Sequence, residues 1–319
     1  MNRIANKYYL IVYKGDSIRK SKMKLLLKPK PPYDFALHLK FFGFDRPTPE
    51  LYKNGIWKRA LRLKSGKLIA LKVGMLGNVE KPRVEISVFN EIDEKEKREI
   101  KSKLSWIFST EKDLKESYTF MDGDHILKRV KQKLYGLRPF NYSTVFEGVI
   151  KSIIQQQISL KGSMYITFRL IERFGDKVQI GKEVYYEFPS PDSLANASID
   201  ELRKCGVSRQ KARYIKEFSE KVANKEFDPD ALKKLPSEEI VTRLTQFKGI
   251  GRWTAELVIV TSIGKEALPA DDLGARRAIS KFYFNGKLIS GNEMRKFAKR
   301  WGKFKGIITY YLICAERLK

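Results

Sequence analysis

The feature that most constrains the fold is the segment 244–255, which reads L-T-Q-F-K-G-I-G-R-W-T-A. The apolar pattern predicts that one helix ends at Phe247 and that another begins at Arg252, so that residues 248–251 form a tight turn. Two glycines suit this turn because glycine tolerates positive φ and allows close backbone approach. Ile250, between the glycines, is expected to plug the space between the two helices.

The start of the second helix predicts a binding site for phosphate. Unpaired amides at a helix N-terminus face outward and attract anions. Lys248 and Arg252 add positive charge at this point. A Gly-x-Gly taken alone is compatible with an ordinary turn between helices, but the whole string is more specific and favours a hairpin that binds DNA phosphates. The predicted DNA-binding residues of the hairpin are Lys248, Gly249, Ile250, Gly251, Arg252 and Thr254.

The charge balance supports a polyanionic partner. The chain has 64 Lys and Arg against 37 Asp and Glu, a formal net charge of +27. A surface adapted to high temperature mixes both signs and does not explain so one-sided a balance. Residues 1–30 hold nine basic residues and one acid, and residues 295–319 hold eight and one. For the first thirty residues, a solvated tail without a partner is an equally good interpretation.

Cysteine and histidine content excludes several kinds of site. Cys205 and Cys314 are the only cysteines, too few for a disulfide framework, a cysteine-based zinc site or a four-cysteine iron–sulfur cluster. The two histidines, His38 and His125, offer little material for histidine catalysis. No apolar run has transmembrane length and no signal sequence is recognisable, so we expect an intracellular protein of cytoplasm, nucleoid or nucleus, without membrane contact.

The pattern along the chain predicts an α+β N-terminal domain, a small antiparallel sheet with helices, over residues 1–112. Helices are expected over Phe35–Phe41 and Glu94–Phe108. The predicted strands are Lys7–Lys14, Lys22–Leu27, Trp57–Leu63, Lys67–Val73 and Val84–Phe89. From about residue 113 the pattern indicates helix throughout. We divide this part into a helical domain, 113–263, with the helical hairpin at about 237–262, and a C-terminal helical segment, 264–319.

Two adjacent acids follow the hairpin. Asp271 and Asp272 stand in the string Leu268–Leu273, just before another predicted helix, in a strongly basic protein. Helix capping is the simpler interpretation for either acid alone, since Asp is a favoured N-cap and complements the helix dipole. In combination with the hairpin, a functional carboxylate becomes the better interpretation.

Together these residues resemble the helix-hairpin-helix DNA glycosylases, which are named for a Gly/Pro-rich loop followed by Asp. Within that superfamily the sequence is most similar to 3-methyladenine-DNA glycosylase II, the AlkA type. Residues 146–175 resemble the family's first core helices, and Gly206 with Arg209–Tyr214 resembles another family segment. The resemblance is strong from about residue 141 onward and weak before it. It implies a mainly α-helical glycosylase core whose C-terminal segment, 264–319, completes the active-site cleft.

The resemblance also assigns roles to residues. Asp272 falls on the family's catalytic Asp, and Trp253 matches one of the aromatic residues of the base pocket. Leu257 is also expected at the pocket, although it and Ile313 stand where the bacterial type carries aromatics. Base-flipping relatives insert a wedge residue into the base stack. Here Gln155, Gln156 or Gln157 would supply it, with Gln156 our first choice for a substrate contact and the other two expected at DNA.

The resemblance implies a monofunctional enzyme, because bifunctional relatives carry a Lys at the position of Trp253. The expected activity is excision of alkylated, 3-methyladenine-like bases from duplex DNA, with Asp272 stabilising the oxocarbenium ion and activating water. We expect a monomer that uses no cofactor and no catalytic metal, and at most a monovalent cation at the hairpin carbonyls. Two alternatives stay open. One is a glycosylase for oxidised or deaminated purines, and the other is a non-catalytic helix-hairpin-helix DNA-binding protein.

Overall fold

The computed structural model describes residues 10–13, 23–42 and 49–318. Its strands are β1 (Leu10–Tyr13), β2 (Met23–Leu27), β3 (Leu51–Lys53), β4 (Ile56–Arg62), β5 (Leu68–Met75), β6 (Val84–Val88), β7 (Lys177–Ile180) and β8 (Glu183–Tyr186). Its α-helices are α1 (Phe35–Phe42), α2 (Glu94–Ile107), α3 (Lys115–Asp122), α4 (His125–Lys133), α5 (Val145–Gln155), α6 (Leu160–Phe174), α7 (Pro191–Ala195), α8 (Ile199–Lys204), α9 (Arg209–Ala223), α10 (Ser237–Leu244), α11 (Arg252–Val258), α12 (Leu273–Tyr283), α13 (Gly291–Ala298) and α14 (Lys305–Arg317).

The N-terminal domain is built on a five-stranded antiparallel sheet with strand order β2-β6-β5-β4-β3. The predicted strands Trp57–Leu63 and Lys67–Val73 form the β-hairpin β4–β5, with Trp57 opposite Val73 and with Gly66 at the tip in the left-handed region, φ +85°. Helix α2 packs its apolar face, including Ile100 and Leu104, into the same core as the sheet. The α+β prediction for this part of the chain is therefore confirmed. Of the predicted strand Lys7–Lys14, only residues 10–13 are among the described residues.

A second, three-stranded sheet corrects the prediction of helix throughout after residue 113. Strands β7 and β8 form an antiparallel hairpin, and β1 pairs with β7 in parallel. The hairpin turns at Gly181, φ +58°. The buried side chains of Val178 and Tyr185 pack with Ala60 and Leu68 of the N-terminal domain. These two strands have only four residues each and lie between long helical segments, so their alternating pattern was not recognised in the sequence.

The prediction of mainly helical structure is confirmed for the rest of the chain. A break after Gln155 separates α5 from α6. Residues 191–204 form two short helices, because Ser198 caps α8 in a capping box with Glu201. A π-helical turn, Ile259–Ile263, continues α11, and 3₁₀ segments cover Pro229–Lys234 and Lys299–Phe304.

The buried side chains after residue 113 form two cores, which we call the hairpin lobe and the terminal lobe. The core of the hairpin lobe lies within residues 145–267. The core of the terminal lobe combines residues 114–137 with residues 268–315. The chain thus first contributes α3 and α4 to the terminal lobe, then forms the hairpin lobe, and finally completes the terminal lobe with its C-terminal helices. Our division at 113–263 and 264–319 stays a prediction, and the packing differs from it because α3 and α4 join the C-terminal helices.

Candidate active site

A cleft of about 1520 Å³ lies between the two lobes and extends to the N-terminal domain. Both lobes contribute predicted site residues to its wall, and aromatic side chains from other parts of the chain complete it. Residues that line the cleft include Trp106, Tyr142, Gln155, Gln156, Gln157, Trp253, Leu257, Asp272, Tyr310 and Ile313.

The predicted helical hairpin is present and explains both of its central residues. Gly249 has φ +81°, and a Cβ at this position would overlap the ring of Tyr214, so only glycine fits. Ile250 is 4% exposed and belongs to the core of the hairpin lobe, which confirms the predicted plug. Gly251 is the N-cap of α11 and has no side-chain cap. Apart from its two chain neighbours, no described residue has an atom within 4 Å of a Cβ built on Gly251, so this face is open to an approaching backbone.

The hairpin side chains predicted to contact DNA fall into different environments. Lys248 is exposed. Arg252 is engaged in ion pairs, with Glu238 at 2.8 Å and Glu256 at 3.0 Å. Thr254 is 2% exposed, and its Oγ1 lies 3.0 Å from the Nε2 atom of Gln156. The hydroxyl of Thr254 is thus buried inside the hairpin lobe, and contact between DNA and this residue stays a prediction.

Asp272 combines the capping role with a position on the cleft. It is the N-cap of α12, where its Oδ1 accepts a hydrogen bond of 2.8 Å from the Ala275 N–H. The indole Nε1 of Trp253 donates to its Oδ2 at 3.3 Å. Trp253 belongs to the hairpin lobe and Asp272 to the terminal lobe. The two residues that carry the predicted chemistry thus come from different lobes and are in contact at the cleft.

Asp271 is held in a different way from its neighbour. Its side chain is 59% exposed, and its Oδ2 lies 3.4 Å from Nη2 of Arg295. The other oxygen lies against the start of α13, where a Cβ on Gly291 would overlap it. Contacts with a guanidinium and a helix N-terminus stabilise a negative charge, which is the role of a structural neighbour.

The three consecutive glutamines have three different environments. Gln155 donates to the Tyr142 hydroxyl at 3.3 Å. Gln156 donates through Nε2 to the Gly249 carbonyl at 2.7 Å and to Thr254 at 3.0 Å. Gln157 is exposed, with φ +55°, at the turn between α5 and α6. The amide of Gln156 is thus hydrogen bonded to the hairpin, and our first choice of Gln156 as the wedge stays a prediction.

Comparison with known proteins gives the context for this geometry. Residues 150–303 match the family model described as HhH-GPD superfamily base excision DNA repair protein. The solved structure of 3-methyladenine DNA-glycosylase from Archaeoglobus fulgidus is 37% identical and has a TM-score of 0.83, with 92% of this chain and 99% of that chain covered. This chain belongs to the HhH-GPD superfamily of base excision DNA repair proteins.

Two further comparisons concern a sequence relative and a structure that shares the fold. The DNA-3-methyladenine glycosylase of Bacillus subtilis is 26% identical over 206 residues, which is 64% of this chain and 68% of the relative. The 8-oxoguanine glycosylase/lyase of Clostridium acetobutylicum, solved with double-stranded DNA, shares the fold, with a TM-score of 0.71 at 21% identity over 95% of this chain and 98% of that chain. The protein is thus a DNA N-glycosylase, and DNA is its partner.

The glycosylase has aromatic cleft residues that our sequence reasoning missed. Trp106 comes from α2 of the N-terminal domain, donates to the Tyr142 carbonyl at 3.0 Å and packs against Gly264. Tyr310 comes from α14, and its hydroxyl donates to the Arg138 carbonyl at 3.1 Å. Leu257 and Ile313 stand where aromatic residues were expected, and the aromatic side chains of the cleft come from distant segments instead. No local pattern marks them, because each lies in a different element.

The described residues of the glycosylase offer little for chemistry based on a metal ion or on a cysteine thiol. They contain no group of three or more His, Cys, Asp or Glu residues that could hold a metal ion. Both cysteines are unpaired, and burial raises the pKa of Cys205 to about 11 and that of Cys314 to about 12, so neither is a thiolate at neutral pH. At the hairpin, the Gly249 carbonyl already accepts from Gln156, and a monovalent cation there stays a prediction. Within the described part of the chain, the helices are too short or too polar to span a membrane.

Proposed function

We propose that this glycosylase excises cationic alkylated bases of the 3-methyladenine type from duplex DNA and that it works as a monofunctional monomer. The observation that carries the proposal is the 3.3 Å contact between the Trp253 indole and the Asp272 carboxylate on one cleft. The Archaeoglobus fulgidus and Bacillus subtilis relatives are both 3-methyladenine DNA glycosylases by name, which supports the 3-methyladenine specificity.

Binding begins with the DNA backbone. The open face at Gly251 and the exposed Lys248 suit a phosphate at the start of α11. The target base must leave the stack to reach the cleft, at a cost of a few kcal/mol that is smallest for a poorly paired lesion. Gln157, exposed at its turn, takes over the role of wedge that we first gave to Gln156.

We assign bond cleavage to Asp272 and Trp253, whose side chains are in contact at the cleft. The C1′–N bond breaks with oxocarbenium character in the sugar, and a carboxylate beside it stabilises the positive charge. The Ala275 amide fixes Oδ1 of Asp272, and the Trp253 indole donates to Oδ2, which keeps a lone pair able to accept a proton from the attacking water. A cationic base is a good leaving group without a general acid, and it stacks favourably on the Trp253 indole.

The direct test compares the two neighbouring acids. Asp272→Asn should preserve folding and DNA binding but slow base release by about a hundredfold or more, the scale of one preorganised electrostatic group. Asp271→Asn, the matched control, should have a much smaller effect. Released bases are measured by chromatography from duplexes that carry 3-methyladenine, 8-oxoguanine or hypoxanthine. Equal release rates for wild type and Asp272→Asn would refute the mechanism. Preferential release of 8-oxoguanine or hypoxanthine would replace the proposed specificity.

The monofunctional part of the proposal has its own test. A lyase needs an amine that attacks C1′ and forms an imine, and an indole stands at the relevant position, Trp253. The product should be an intact strand with an abasic site, cleaved only after alkali or heat. Borohydride added during turnover traps an imine as a covalent protein–DNA adduct. A lesion-dependent adduct in good yield would show that a lysine elsewhere in the chain performs lyase chemistry.

A further inference from the structure

Helix α11 carries a buried carboxylate, Glu256, one turn after Trp253. Its side chain is 4% exposed and accepts hydrogen bonds from two guanidinium groups. Arg252, on the same helix, donates through Nε at 3.0 Å. Arg295, on α13 of the terminal lobe, donates through Nη1 at 2.8 Å and through Nη2 at 3.0 Å. This last pair is bidentate, the geometry in which an arginine–carboxylate contact is strongest and most directional.

Arg295 also holds the loop that precedes Asp272. Its Nη1 donates to the Leu268 carbonyl at 3.1 Å, and its Nη2 lies 3.4 Å from Oδ2 of Asp271. These contacts are at the two ends of the segment Leu268–Asp271. A single guanidinium therefore joins α11, α13 and both ends of the loop that presents Asp272.

Helix α11 consequently contacts the loop at two points. Trp253 meets it through the carboxylate of Asp272, and Glu256 meets it through Arg295. We infer that Arg295 and Glu256 act as a clamp that positions Asp272 relative to the hairpin and thereby sets the rate of base release. The inference rests on the proposed role of Asp272. Neither clamp residue is assigned to the reacting atoms, so both are positioning residues.

The expected size of the effect follows from the sensitivity of catalysis to geometry. A displacement of about 1 Å far from the chemistry can cost as much as a hundredfold in rate. A variant that loosens the loop at Arg295 but keeps the contact between Trp253 and Asp272 should lose less than this hundredfold in rate. We therefore expect the release rate to fall by about tenfold. Affinity for DNA should change little, because the hairpin turn and its amides are held by Gly249 and Ile250 instead.

The experiment measures single-turnover base release with enzyme in excess and, separately, the Kd for a duplex with an abasic site. Arg295→Met and Glu256→Gln should each lower the release rate about tenfold and leave the Kd within about threefold. Arg295→Lys keeps the charge but loses the bidentate geometry, so it should not restore the rate. Arg243→Met is the matched control, because Arg243 on α10 pairs only at the surface, with Glu239 at 2.9 Å. It should behave as wild type.

A double-mutant cycle separates positioning from general damage. If the clamp acts through Asp272, adding Arg295→Met to Asp272→Asn should lower the residual release rate by less than about twofold. The same tenfold loss in both backgrounds, or parallel losses of rate and DNA affinity, would overturn the inference. Glu256→Gln, which keeps the side-chain shape, provides the measurement if Arg295→Met does not fold. Full activity of Asp272→Asn would instead refute the proposed function.

Discussion

Glu147 and Glu256 are both buried helix carboxylates of the hairpin lobe, and each is held by two basic side chains. Glu147, on α5, lies 2.9 Å from Nη2 of Arg59 and 2.7 Å from Nζ of Lys151. These partners are 1% and 7% exposed, whereas the arginines that hold Glu256 are 48% and 30% exposed. The two sites therefore share their chemistry and differ in their access to water.

The difference extends to what each cluster connects. Arg59, from β4, also binds Glu50 and Glu187, each at 2.6 Å, so the Glu147 cluster joins the N-terminal domain to the hairpin lobe. Opposite charges raise the pKa of Lys151 against the effect of its burial. Glu50 and Lys151 also line the cleft. The Glu256 cluster differs because Arg295 donates to the Leu268 carbonyl in the loop that precedes Asp272. Burial determines how much stability such a cluster carries, and the backbone attached to it determines whether it affects function.

The largest expected effect is on stability at the Glu147 cluster. Glu147→Gln should lower the free energy of unfolding by about 3–5 kcal/mol, because it leaves two buried cations without their central carboxylate. Urea unfolding followed by circular dichroism measures the change. Base release per folded molecule should stay near wild type. A loss below about 1 kcal/mol would show that Glu50 and Glu187 neutralise the cations without Glu147.

The pH dependence of stability further tests the difference between the Glu147 and Glu256 clusters. Burial alone would raise the pKa of Glu147, but Arg59 and Lys151 hold it below its ordinary value of 4.5. A carboxylate with a lowered pKa stabilises the fold above its unfolded-state pKa, and this contribution is lost as the pH falls through the folded-state value. The wild type should therefore lose more stability between pH 7 and about pH 3.5 than Glu147→Gln does. Parallel curves for the two proteins would contradict this assignment.

Glu256→Gln should have an intermediate effect on stability. Its arginines keep access to water, so we expect a loss of about 1–3 kcal/mol, the value of hydrogen bonds to charged groups. The same urea series measures it. A loss as large as that of Glu147→Gln would mean that solvent access does not distinguish the two clusters.

The smallest effect is expected at the exposed pair Arg243–Glu239. Both side chains are about half exposed, and the pair lies on the surface of α10. Arg243→Met should change the free energy of unfolding by no more than about 0.5 kcal/mol. A larger loss would show that exposure alone is a poor guide to the value of an ion pair in this protein.

Much of the fold was predictable because its signals are local. The hairpin depends on Gly249, whose positive φ is a property of one residue, and on Ile250 between two apolar helices. The sheet of the N-terminal domain follows from alternating strands and a turn at Gly66. By contrast, β7 and β8 are short strands that complete a core with Ala60 and its neighbours, more than a hundred residues earlier in the chain. Short-range patterns do not carry this information.

The site divides in the same way. Short strings of residues were enough to predict the hairpin and the helix that follows Asp272, and they show directly that position 253 holds no lysine. Only packing distinguishes the three consecutive glutamines, of which Gln157 is exposed while Gln155 and Gln156 are hydrogen bonded. Gln156 is bonded to a carbonyl 93 positions away, and Trp106 reaches the cleft from the N-terminal domain. Such contacts arise when distant elements pack together, and packing depends on the shape of both partners rather than on either sequence alone.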